Sequence, residues 1–311
     1  MGVNILEVKL GKLRLKSPII MASGTFGFGM EKIEFVDYTK IGAITTKTIT
    51  YEERKGNPQP RIWEIKCGMI NRIGLQNPGV KYFSENILPE LKKKKVKIIV
   101  SVSGKNEEEI LRTFEILTEK NIKTFELNLS CPNIDEEKMI SQNADLTYRI
   151  VEKVKKNFDI TLIVKLSPNV TDITEIAIAA EKAGADILSM INTVKGIAID
   201  TERMKIIEGG ISGPVIKNIG LYAIYSVFKK VKIPLIGIGG ITEGKDAVEY
   251  FLAGANAIEI GSGFFSNPFL IDEVYKYLLN YLRKNSYKNV SEITGLLNEK
   301  ESKKRRKKTT G

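Results

Sequence analysis

The sequence predicts a (β/α)8 barrel, and three observations predict it. From Pro18 onward eight short runs rich in β-branched residues follow one another: "PIIMAS", "GAITTKT", "KIIVSVS", "TFELNLS", "LIVKLSP", "DILSMINT", "PLIGIG" and "AIEIGSG". Segments of helical period stand between most of them. The runs are apolar nearly throughout and separated by amphipathic helices, which marks a parallel sheet covered by helices. A chain of 311 residues accommodates this, since such barrels take about 250 residues as one domain.

Each element has its own justification. The opening "LEVKLGKLRLKSP" alternates apolar and polar residues around Gly11 and reads as a small hairpin laid before the barrel. The first and second runs, "PIIMAS" and "GAITTKT", are followed by a stretch from Tyr51 to Val80 that carries Pro58, Pro60, Pro78 and several glycines. Loops of that length are functional or hold extra small strands, so it is read as an elaborated loop over one barrel mouth. "NEEEILRTFEILTEKN" after the third run and "EGKDAVEYFLAGA" after the seventh have helical period. The alternative, an open doubly wound sheet, requires its first strand to enter a G-x-G-x-x-G turn. "SGTFGFG" has the wrong spacing, and Thr242 in "GIGGIT" and Ser266 in "GSGFFS" occupy the third glycine position. Residues 1–285 are read as a single barrel domain and 286–311 as a C-terminal extension ending in a disordered basic tail.

The net charge of +11 is concentrated in that tail, where Lys303 to Lys308 are all basic and leave 42 basic against 37 acidic residues elsewhere. No aromatics are interleaved with the basic run, as a nucleic-acid stacking platform needs, so nucleic-acid binding is the minority reading. Cys67 and Cys131 are too few for a disulfide framework and form no metal pattern, which points to a reducing, cytoplasmic setting. Cys67, in "KCGMIN", is expected to be a small buried hydrophobe. The N-terminus lacks the apolar core of a signal peptide, and no apolar run approaches a membrane span.

In a barrel, chemistry gathers at the C-terminal ends of the strands. There the sequence places Ser23, Lys47, Ser101 and Ser103, Asn128 with Cys131 and Asn133, Lys165, Asn192 with Thr193, Gly239 with Gly240, and Gly261 with Ser262. The glycine pairs after the last two strands suit a phosphate, because glycine lets backbone N–H groups approach an anion. Lys47 and Lys165 call for anionic company, and Asn71, Asn128, Asn133 and Asn192 suit a planar ligand with an amide-like edge. The chain has no histidine. That leaves the Cys131 thiol, among polar groups and near lysines, as the candidate base or nucleophile.

These residues carry a resemblance. "SPIIMASGTFGFG", "TKTIT", "NRIGLQNPGV", "ELNLSCPN", "VKLSPN", "INT", "GGISGP", "GIGGI" and "EIGSG", in this order, resemble the class 1 dihydroorotate dehydrogenases from about Leu6 to Leu282. The resemblance implies an FMN-dependent oxidation of dihydroorotate to orotate in pyrimidine biosynthesis. It implies flavin and phosphate contacts from Ser23, Lys47, Thr48, Ser101, Asn128, Lys165, Ile191, Gly213, Gly239, Gly240, Gly261 and Ser262. Ser101 stands where relatives often carry an asparagine. Substrate contacts would come from Lys47, Asn71, Arg72, Ile73, Gly74, Leu75, Asn128, Asn133, Asn192 and Thr193. Cys131 would take the C5 proton while flavin N5 takes the C6 hydride, with Lys165 stabilising negative charge on the flavin. No metal ligand is implied in this chain. "GLQNPGV" with "ASGTFGFG" resembles the NAD-linked class 1B, which implies a partner subunit carrying FAD and a [2Fe-2S] cluster, and a homodimer within a heterotetramer. The alternative is another FMN barrel acting on a dihydropyrimidine or dihydrouridine.

Overall fold

In a computed structural model, residues 4–30, 36–129 and 142–298 are described. The first alternation folds as expected: β1 (Val8–Leu10) pairs antiparallel with β2 (Leu13–Leu15). Leu10 and Leu15 are fully buried, while Lys9 and Arg14 face water, as a period of two requires. Lys12, in its turn, lies 3.8 Å from Asp159, just before the fifth barrel strand, so the hairpin sits at the N-terminal mouth.

The barrel begins with β3 (Ile19–Met21) and β4 (Ala43–Thr45). The long loop then makes a second hairpin, β5 (Ile62–Ile65) and β6 (Gly68–Asn71). A helix follows in two α-helical pieces, α1 (Gly79–Tyr82) and α2 (Leu88–Lys93), joined by a wider π turn over Phe83–Ile87. The barrel resumes with β7 (Lys97–Val102), α3 (Glu107–Glu119), β8 (Thr124–Asn128), α4 (Ala144–Asn157), β9 (Thr161–Leu166), α5 (Ile173–Lys182) and β10 (Ile187–Met190). A third hairpin, β11 (Val194–Asp200) with β12 (Lys205–Ser212), precedes α6 (Lys217–Phe228), β13 (Leu235–Ile238), α7 (Gly244–Ala253), β14 (Ala257–Ile260), α8 (Gly263–Ser266) and α9 (Leu270–Lys284).

The eight runs read from the sequence are the eight strands of one closed parallel barrel, in the order β3-β4-β7-β8-β9-β10-β13-β14 and back to β3. Polar side chains start the intervening helices: Asn106, Asn143 and Asp172 each accept a backbone N–H of the first turn of α3, α4 and α5. The amphipathic faces of these helices bury Ile110, Phe114 and Leu117, then Leu146, Ile150 and Val154, against the strands.

The Tyr51–Val80 elaboration is more than a loop. Its hairpin joins the β11–β12 hairpin through antiparallel β12–β6 pairing, giving a four-stranded sheet, β11-β12-β6-β5, outside the barrel. The turn of β5–β6 corrects the reading of Cys67, which is exposed and holds φ of 64°. The extension past residue 285 begins inside the fold: Val290 and Ile293 are fully buried, and the Gly295 amide donates to the Phe251 carbonyl at 2.8 Å. The Lys303–Lys308 run lies outside the described residues.

Candidate active site

The C-terminal ends of the barrel strands and the underside of the four-stranded sheet enclose a cavity of about 720 Å³. It gathers residues named from the sequence alone: Ser23, Lys47, Thr48, Asn128, Lys165, Ile191, Asn192 and Thr193 from the barrel ends. Asn71, Arg72, Ile73, Gly74 and Leu75 arrive from the β6 side, and Gly213, Gly239, Gly240, Gly261 and Ser262 from the turns that follow β12, β13 and β14. Cys131 and Asn133 lie outside the described residues.

Neutral hydrogen-bonding groups run from the mouth into the barrel as one chain. The Asn192 amide donates to Asn128 Oδ1 at 3.4 Å, and Asn128 Nδ2 donates to Thr48 Oγ1 at 3.3 Å. Thr48 Oγ1 lies 3.3 Å from Ser23 Oγ and 3.0 Å from Ser101 Oγ. Ser101 is fully buried and stands behind Thr48 rather than on the cavity wall, its hydroxyl donating to Glu126 Oε1 at 3.0 Å. It thereby links the cavity to a charged cluster beneath it.

That cluster is the feature sequence reasoning missed. Lys165 Nζ lies 3.6 Å from Glu126 and 3.8 Å from Glu259, and all three side chains are buried inside the barrel. Burial alone would lower the ammonium pKa, but the two carboxyls beside it outweigh that and raise it, so Lys165 is a fixed cation. Both ion pairs are longer than a hydrogen bond, which leaves donors of Lys165 to serve an acceptor in the cavity. Burial first, then the Glu126 charge, pushes the Glu259 carboxyl up to about 8, with Lys165 pulling the other way. The signal was present in "TFELNLS" and "AIEIGSG": a lone glutamate inside a strand buried on both faces needs a buried partner.

The glycine turns fit a phosphate. The amides of Gly240, Ile241 and Ser262 donate to no group among the described residues. At Gly240 φ is +68°, and a Cβ would meet the Lys217 backbone at 2.7 Å, so only glycine keeps the cradle open. The turn is braced from behind. Asp246 accepts the amides of Thr242 and Glu243 at 2.8 and 3.0 Å and pairs with Lys217 Nζ at 2.7 Å. Burial opposes its ionisation, but the Lys217 bond and the Thr242 amide outweigh that and lower its pKa, while Asp246 in turn raises that of Lys217. Tyr250, buried where Gly220 and Gly237 leave room for its ring, donates to the Gly239 carbonyl at 2.7 Å.

Among the described residues no helix is long and apolar enough to cross a membrane. Comparison with known proteins agrees with the architecture. A crystal structure of DHODH from Eimeria tenella in complex with ferulenol superposes with a TM-score of 0.79 at 24% identity, covering 94% of this chain and 88% of that one; it shares the fold. The dihydroorotate dehydrogenase B (NAD(+)) catalytic subunit of Caldicellulosiruptor bescii is 47% identical over 298 residues, which is 94% of this chain and 99% of that protein. The catalytic subunit of the same name from Bacteroides thetaiotaomicron is also 47% identical, over 94% and 98% of the two chains. The family profile described as dihydroorotate dehydrogenase matches residues 5–282, and with relatives this similar along nearly the whole length, the chain belongs to the dihydroorotate dehydrogenase family.

Proposed function

We propose that this protein is the catalytic subunit of an NAD-linked dihydroorotate dehydrogenase, oxidising (S)-dihydroorotate to orotate on bound FMN for pyrimidine synthesis in the cytoplasm. The carrying observation is that one cavity joins an open glycine phosphate cradle to a buried cation with donors to spare. Those two features fit the phosphate and the ring of a flavin mononucleotide. Gly240, Gly261 and Ser262 would hold the phosphate, with Gly213, Gly239 and Ile191 beside it. Lys165 and Thr48 would face the ring.

When bound, the flavin supplies the hydride acceptor. The protein's part is orientation and the proton. Asn71, Asn128, Asn192 and Thr193, with Lys47, line the same cavity as Lys165 and would hold a pyrimidine ring and its carboxylate in one pose, which is where proximity gives its rate advantage. Cys131 would take the C5 proton as its thiolate. The name shared by the relatives, a catalytic subunit, supports a second subunit to carry electrons to NAD, with FAD and a [2Fe-2S] cluster placed there.

The test is an anaerobic absorbance spectrum of the purified chain before and after L-dihydroorotate, on wild type and Cys131→Ser. A flavin spectrum that bleaches in wild type, and bleaches about 100-fold or more slowly in the variant near neutral pH with recovery at higher pH, is expected. A flavin that stays oxidised with dihydroorotate moves the substrate to a dihydropyrimidine or dihydrouridine. Equal rates in the two proteins remove Cys131 from its role.

A further inference from the structure

The Glu126–Lys165–Glu259 cluster sets two carboxyls against one ammonium, and the two are not equivalent. Glu126 receives the Ser101 hydroxyl at 3.0 Å and the Ser189 hydroxyl at 3.2 Å, with Lys165 Nζ at 3.6 Å. Both of its oxygens are therefore served as a carboxylate requires. Among the described residues Glu259 receives only the Thr45 hydroxyl, at 3.2 Å on Oε1. Its Oε2 lies 3.8 Å from Lys165 Nζ, too far for a hydrogen bond, and is buried with no hydrogen-bond partner among the described residues. Glu259 belongs to the strand end that walls the cavity, but its side chain has no surface open to it.

A single ammonium cannot compensate two buried anions, since each must be taken out of water and the second finds only the Thr45 hydroxyl in return. Two carboxyls sharing one cation settle by keeping one proton between them. Hydroxyl donors saturate Glu126, so the proton belongs on the unserved oxygen of its rival.

We propose that Glu259 is a neutral carboxylic acid that keeps the one proton the two carboxyls share, leaving the Lys165 ammonium balanced by Glu126 alone. This charge assignment does not depend on the flavin reading. The groups facing Glu259 are Glu126 on β8, Lys165 on β9 and Thr45 on β4, and the raised pKa of its carboxyl agrees with their arrangement. The cavity floor then carries one cation, one anion and one neutral acid. It presents the Lys165 ammonium to the cavity with no net charge in the cluster, which a second carboxylate in the same place would not allow.

The experiment is infrared spectroscopy of the full chain at pH 7, stripped of flavin, on wild type and Glu259→Gln. A C=O band of a protonated carboxylic acid is expected in wild type and absent from Glu259→Gln. Glu259→Gln, whose amide is neutral as well, should bind FMN within about threefold of wild type. A wild type without the band, or a band that persists in Glu259→Gln, overturns the neutral acid. FMN affinity lower by about tenfold or more in Glu259→Gln would show that the site needs a second carboxylate beside Lys165, which also overturns it. If wild type takes up no FMN, the flavin reading fails, while the band still decides whether Glu259 is neutral.

Discussion

Glu259 gives the stability of the fold a pH dependence of definite sign. Its carboxyl is raised in the folded state to about 8, against about 4.5 when exposed. Between those values the folded chain keeps a proton that the unfolded chain has released, so stability falls as pH rises through this window, by up to about 1.4 kcal/mol per pH unit for one proton. The contribution is fully present below about 4.5 and lost above about 8. Glu259→Gln cannot titrate, so its thermal midpoint should be flatter than wild type's between pH 5 and 8; parallel curves from calorimetry would show that Glu259 does not hold the proton. Strand ends exposed most of the cavity-lining residues to sequence reading, because the barrel rule says where they must fall. Glu126 and Glu259 escaped that rule, since they lie within their strands and act from beneath the cavity. Ser101 falls between the two cases, one layer below the mouth position assigned to it.

At the level of elements, the end of β13 depends on a residue from α7. The Tyr250 hydroxyl donates to the carbonyls of Ile238 and Gly239 at 3.1 and 2.7 Å, and burial raises its pKa far enough to keep it a donor at any pH of interest. Tyr250→Phe would leave both carbonyls without that donor and should cost about 1–2 kcal/mol in denaturant unfolding, with FMN binding weakened because the Gly239–Gly240 turn loses its brace. Unchanged FMN affinity would show that the Asp246–Lys217 pair holds the turn unaided. The barrel strands were legible because each is a short, doubly buried apolar run bounded by polar or glycine turns. The β11–β12 hairpin was not. It alternates, but Ile197, Ile199 and Ile206 lie on its exposed face, so its apolar residues mark no core and the pairing of β12 with β6 has no local signature. Cys67 was misread for a related reason: a tight turn set its environment, whatever its hydrophobicity.

On the scale of the whole molecule, the barrel and the four-stranded sheet are two separate hydrogen-bonded systems. The barrel ladder closes on itself without β5, β6, β11 or β12, while the cavity needs residues from both. Thr201–Met204, the turn between β11 and β12, is exposed throughout. A circular permutant that joins the present ends through a flexible linker and opens the chain at this turn interrupts the crossover from β10 to β13, but at a point outside the barrel ladder. It should keep the circular dichroism of the parent and lose at most about 1 kcal/mol of stability, with any penalty appearing in the Michaelis constant for dihydroorotate; loss of the folded signal would mean that the sheet is needed for the barrel to close. Roof and vessel are therefore separable by topology, and selection or design can revise what enters the site by rewriting two hairpins while leaving the eight strands that hold the charged floor untouched.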